Sequence, residues 1–219
     1  MLIRGIGGII LVIEWGTKEE REALTKQLQK LVKDAWSSQK VVGVQKDWES
    51  FIEKNKAIIR SLNAIQNIIK TAGTGEYEKA LLRLVFYLFA AEGGFATYMN
   101  FVCAMLVSQG HDLFNFFDRD FASCMEKIAD VNIYTKELFL KEHGFESFNK
   151  GLDRKLRNAI AHYDFEIEHD GTVKIDGAKT DVNRKLKEIL SFVCLTSESV
   201  IPVALECEKQ FKLQQAEKV

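Results

Sequence analysis

Four side chains of different chemistry crowd into one short stretch of this chain: Asp153, Arg157, Asn158 and His162. Histidine takes up a proton near neutrality, so His162 can serve as general base toward a hydroxyl such as the 2'-hydroxyl of a ribose. The guanidinium of Arg157 offers a fixed charge and a planar donor fork, which suit phosphate oxygens as charge builds on them. Asn158 would orient the imidazole or donate to the phosphate. No metal is needed, because the nucleophile lies inside the substrate. On an unbroken helix Asn158 and His162 share a face, as do Asp153 and Arg157, each pair being four residues apart. Arg157 and His162 are five apart and leave the axis about 140° from one another. They converge if the long arginine arm reaches round, if the helix unwinds before His162, or if a second subunit supplies the missing partner. The plain alternative is a helix C-terminus where His162 meets free carbonyls.

Arg157-Asn158, three further residues and His162 fit the Arg-x4-6-His pattern, and here the chain resembles the HEPN superfamily. The likeness extends to a long apolar helix with an embedded acidic residue, Glu92, and to RNAIAHYDFEI running into a short hairpin and a last helix. It implies an all-α helical bundle that acts as a metal-independent endoribonuclease, leaving a cyclic phosphate and a 5'-hydroxyl. It also implies a cytoplasmic homodimer whose two motifs meet across the interface, with a role as a toxin or in defence and an antitoxin or other partner protein. The matching positions are Arg157, Asn158 and His162, and more weakly Glu92. Related toxins that carry His-x-Tyr are modified at that tyrosine; here Tyr163 follows His162 at once and Asp164 holds the expected position. The resemblance therefore does not carry that mode of regulation. A second reading from the same residues is a helical dimer that binds RNA, a nucleotide or a partner without turnover.

Composition bears on the substrate. Lys+Arg 30 against Asp+Glu 31 leaves a net charge of -1, so a polyanion can be held only by a local patch. Lys150, Arg154, Lys155 and Arg157 offer one, with Tyr163 beside it, though a solvated helix face explains Lys150 and Lys155 as well. Glu92 sits in an apolar run and needs a partner if buried. It either pairs with an arginine or lysine, or lies beside His162 and raises its pKa. Cys103, Cys124, Cys194 and Cys207 lack ligand spacing and read as structural thiols in a reducing compartment. His111, His143 and His169 read as loop or helix-end residues with no metal spacing between them. The run 81–107 is the one serious membrane candidate, but Arg83, Glu92 and Asn100 lie within it, so a buried central helix is expected instead.

The elements that must position these groups follow from periodicity. Residues 1–16 form an apolar arm or strand, too short to span a bilayer, and 17–219 one helical domain. Thr17 and Glu20 make a capping box before Leu24, Leu28, Leu31, Val32 and Trp36. Asp47 opens a second helix with an apolar stripe from Trp48 through Phe51, Ile58 and Leu62 to Ile69, ended at Gly73. Asp112 caps a phenylalanine-rich segment, Phe114 to Phe121, continuing toward Ile128. A short helix ends at Gly144. The helix of interest covers about 147–161, followed by a hairpin at about 163–176 and a final helix at about 181–213 capped by Asp181 and kinked at Pro202.

Overall fold

A computed structural model describes residues 15–37, 44–71, 75–111, 113 and 127–216. The chain is mostly helical, 78% helix against 5% strand, which makes it an all-α helical bundle with one small sheet among the described residues. In order come α1 (Lys18–Ser37), α2 (Val44–Thr71), α3 (Glu76–Phe89), a π-helical turn (Ala90–Phe95), α4 (Ala96–Ser108), α5 (Ile133–Glu142), α6 (Ser147–Gly151) and α7 (Arg154–His162). The short strands β1 (Glu166–Ile167), β2 (Val173–Ile175) and β3 (Ala178–Thr180) follow, and then α8 (Val182–Ala216). The apolar arm expected before residue 15, the phenylalanine-rich segment and Cys124 lie outside the described residues.

Contacts divide the chain into two compact units, each assembled from three stretches. One comprises Lys56–Phe95 and Gly151–Val193 with Trp15 from the first stretch; the other comprises Gly16–Asn55, Ala96–Lys150 and Cys194 onward.

In the second unit α1 begins with the expected capping box: the Glu20 N–H donates to Thr17 Oγ1 (3.2 Å) and the Thr17 N–H to Glu20 Oε2 (2.9 Å). Its buried residues Leu24, Leu28, Leu31, Val32 and Ala35 recur at helical spacing, and the helix packs against α4. Every residue from Thr97 to Ser108 except Asn100 is buried, as suits a helix apolar all round. Burial pushes the Cys103 thiol up to about 12, which keeps it an inert packing group. The α2 helix starts at Val44, three residues before the expected Asp47.

The first unit holds the chemistry-bearing stretch. Here α3 packs against α7 and touches β1. Trp15 is pinned by its N–H to Ser191 Oγ (2.8 Å) and by an edge contact of its ring with Phe192 (4.9 Å). Two sequence expectations are corrected in this unit. The helix over 147–161 is broken: α6 stops at Gly151, where a Cβ would lie 2.7 Å from the Phe95 ring and 3.0 Å from Phe192, and Asp153 starts α7 afresh as its N-cap. The hairpin gains a third strand, because Asp176 (φ 49°) and Gly177 (φ 73°) make a two-residue turn that pairs Ile175 with Ala178 and Val173 with Thr180. The Asp-Gly pair is a strong hairpin signal, and it is the one that reveals β3.

Two helical stretches, Glu76–Ser108 and Val182–Gln214, have the length and apolarity to cross a membrane. Half of the most apolar window of each is buried inside the protein, and a core helix passes the same test.

Candidate functional site

The α7 helix is secured at both ends. At its start the Asp153 side chain accepts the Leu156 N–H (3.0 Å) and pairs with Lys185 (3.0 Å). The buried Tyr87 hydroxyl accepts the Asp153 N–H (3.0 Å) and donates to the Asp153 carbonyl (3.2 Å), so one phenol on α3 closes two backbone groups of the cap. Burial pushes the Tyr87 phenol pKa up and keeps it a neutral donor. Burial alone would raise the Asp153 carboxyl, but the hydrogen bond from Leu156 and the pairing with Lys185 outweigh it, and the pKa falls below 3.8. Neither Tyr87 nor Lys185 carries a sequence signal, since their partner lies 66 and 32 positions away.

At the far end α7 stays helical through His162 and closes on Tyr163 in the left-handed conformation (φ 60°, ψ 27°). The Tyr163 N–H returns to the Ile160 carbonyl (3.3 Å) and the Asp164 N–H to that of Ala159 (2.8 Å), the two bonds of a Schellman closure. Glycine usually takes this place; here it is a tyrosine whose surface is 85% exposed. Leu156, Ala159 and Ile160 face the core, which leaves Asn158 and His162 exposed.

Because the helix does not unwind before His162, the ring is not re-aimed, and Arg157 and His162 keep the 140° offset expected of an α-helix, about five residues at 100° each. Arg157 instead reaches Glu92: Nε donates to Glu92 Oε1 (2.5 Å), while Nη1 donates to Asn158 Oδ1 (2.9 Å). Of the two expectations for Glu92, pairing with an arginine is the one realised. The pair is partly open to water, with side-chain exposures of 29% for Arg157 and 44% for Glu92, so a ligand can compete for it. Glu92 stands on the π-helical turn, followed by Gly93 and Gly94. A Cβ on Gly94 would come within 3.1 Å of Val193, so the absence of a side chain there lets the widened turn lie close to α8.

The remaining members of the basic patch are more dispersed than expected. Lys155 pairs with Asp176 (2.9 Å), and Lys150 belongs to the other unit, where it pairs with Glu20 (2.7 Å). Asp153 meets Lys185 and not Arg157, because its side chain is turned to the cap. Arg154 is exposed at the first turn of α7. His162 forms no hydrogen bond or ion pair among the described residues. His111 and His143 come together at 4.4 Å between ring centroids in the second unit, and His169 is exposed.

No family model, curated protein or solved structure matches this chain. Its chemistry must therefore be argued from the site. What the arrangement offers is an exposed imidazole, unpartnered among the described residues, beside an amide on one face of a helix end, an exposed aromatic ring next to them, and a guanidinium held by a solvent-accessible carboxylate.

Proposed function

We propose that the chain is an endoribonuclease of the HEPN type, working without metal in the cytoplasm as a homodimer, in a toxin or defence setting. The observation that carries this reading is His162: exposed, without a partner among the described residues, on the same face as Asn158 and at the end of a helix fixed at both termini. In the proposed step His162 takes the proton of the ribose 2'-hydroxyl, the freed oxygen bonds to phosphorus, and the bond to the 5'-oxygen breaks. The leaving oxygen takes a proton from solvent, and the products are a cyclic phosphate and a 5'-hydroxyl. Arg157, released from Glu92, neutralises the phosphate oxygens as charge develops.

The 140° separation of Arg157 and His162 argues for a second copy, so that each phosphate meets the imidazole of one chain and the guanidinium of the other. Support for self-association comes from α3, where Tyr77, Leu81, Val85 and Phe89 recur every fourth residue and expose 44%, 39%, 52% and 36% of their surface. Such a row of large apolar residues on the helix that packs against α7 is a candidate dimer face. Incubating the purified protein with RNA in EDTA is the direct test: cleavage is expected, and His162→Ala should abolish it. Unchanged cleavage in that variant would falsify the assignment of the base.

The same residues also serve a non-catalytic alternative, in which RNA or a nucleotide is bound without turnover. With Arg157 bonded to Glu92 and Asn158, the patch binds RNA or a nucleotide only by exchange. Thermal stabilisation by RNA with no product over hours would select it.

A further inference from the structure

The first unit contains a second recess, separate from α7. It is a cleft of about 490 Å³ between the start of α3, the tip of the β1–β2 hairpin and the start of α8. Its floor is apolar, formed by the buried residues Ala80, Val173 and Val182. Its walls carry both signs of charge, and the two signs are in different situations. Each carboxylate already has a local partner: Glu76 pairs with Lys79 (2.8 Å), Asp170 accepts the Thr172 N–H (2.9 Å), and Asp181 accepts the Arg184 N–H (3.0 Å). The cations do not. Arg83, half-buried, and Lys179 both line the cleft and form no hydrogen bond or ion pair among the described residues. They act on Glu76 and Asp170 only through space.

From this we infer that the cleft binds a small hydroxylated phosphomonoester, of the sugar-phosphate kind, with the phosphate between Arg83 and Lys179. A guanidinium fork and a mobile ammonium are the donor pair that suits a tetrahedral dianion. Glu76 and Asp181 each have one oxygen engaged locally, and the other can accept from the hydroxyl groups of a sugar, whereas Asp170 is bonded to both the backbone and the side chain of Thr172. An anion alone would meet three negative neighbours; a ligand that brings hydroxyl donors with its phosphate turns them into acceptors. The apolar floor accommodates the carbon face of the ring. The cleft is large enough for a nucleoside monophosphate, so the phosphosugar can be free or part of a nucleotide. The inference does not rest on the nuclease reading, because no residue of α7 lines the cleft.

The test is titration calorimetry and thermal melting of the full chain with ribose 5-phosphate, AMP, inorganic phosphate and ribose. Ribose 5-phosphate or AMP should bind and raise the melting temperature with concentration, and both should exceed inorganic phosphate, with ribose inert. Tighter binding of AMP identifies a nucleotide as the occupant, and tighter binding of ribose 5-phosphate a free sugar phosphate. Arg83→Gln and Lys179→Gln should each weaken that binding about tenfold or more, while the circular dichroism and the unliganded melting temperature stay as in the parent. The inference is overturned if neither phosphosugar binds at millimolar concentration, or if binding survives in both variants. It is also overturned if inorganic phosphate binds as tightly as either phosphosugar.

Discussion

At the scale of single residues, Tyr163 departs furthest from what the backbone prefers. A left-handed conformation costs an ordinary residue roughly 1–2 kcal/mol, and this ring, largely exposed, recovers little of it by packing. Tyr163→Gly should therefore stabilise the fold by about 1 kcal/mol in urea unfolding. If Tyr163 stacks on an RNA base, as its place beside His162 suggests, the same change should weaken RNA binding by about 1–3 kcal/mol. A variant with unaltered stability would show that the turn is not strained. Asp153 is the second case. Asp153→Ala removes the cap of α7 and the partner of Lys185, and should lower stability by about 1–2 kcal/mol at neutral pH. Its folded pKa lies below 3.8, so its stabilising effect is full above that value and is lost as the pH falls through the folded pKa. Acid unfolding curves of parent and variant should accordingly converge at the lowest pH, and parallel curves would contradict the assignment.

At the scale of elements, the π-helical turn joins the middle of an apolar helix to the motif. It presents Glu92 to Arg157, and the exposed pair contributes no more than about 1 kcal/mol to stability. Glu92→Gln should leave the melting temperature nearly unchanged and strengthen RNA binding several-fold, since the guanidinium no longer has a competing anion. Weaker binding in that variant would mean that the carboxylate orients Arg157 for the ligand. What the sequence made readable here was local. The capping box at Thr17 and Glu20, the cap at Asp181 and the end of a helix at Gly144 each rest on residues a few positions apart. What it hid was long-range. The rings of Phe95 and Phe192 that leave no room for a side chain at Gly151 lie far along the chain, the π-turn leaves no mark beyond a Glu-Gly-Gly in an apolar run, and the anchors Tyr87 and Lys185 have no periodic signature. For the site, the residue types of α7 could be read directly. The pairing of Arg157 with Glu92 was one of two open alternatives, and the cleft around Arg83 was not readable at all.

At the scale of the whole molecule, the proposed activity depends on self-association. Leu81→Glu combined with Val85→Glu places charge on the exposed row of α3 without touching its buried face. Light scattering should show the parent as a dimer and this variant as a monomer of unchanged circular dichroism, with RNA cleavage lost together with the dimer. A monomeric variant that still cleaves would leave Arg157 and His162 to act from one chain, and a parent that is already monomeric would remove the composite site.

Gly171 sits at the hairpin tip with φ 81°, and a Cβ there would lie 2.7 Å from the Glu76 carbonyl oxygen. Main chain therefore rests almost directly on main chain at one edge of the cleft. At that edge the spacing is set by backbone, with no side chain to lengthen or trim. Replacing Gly171 would push the hairpin tip off the start of α3 and open that edge of the cleft, whatever side chains line the rest of it.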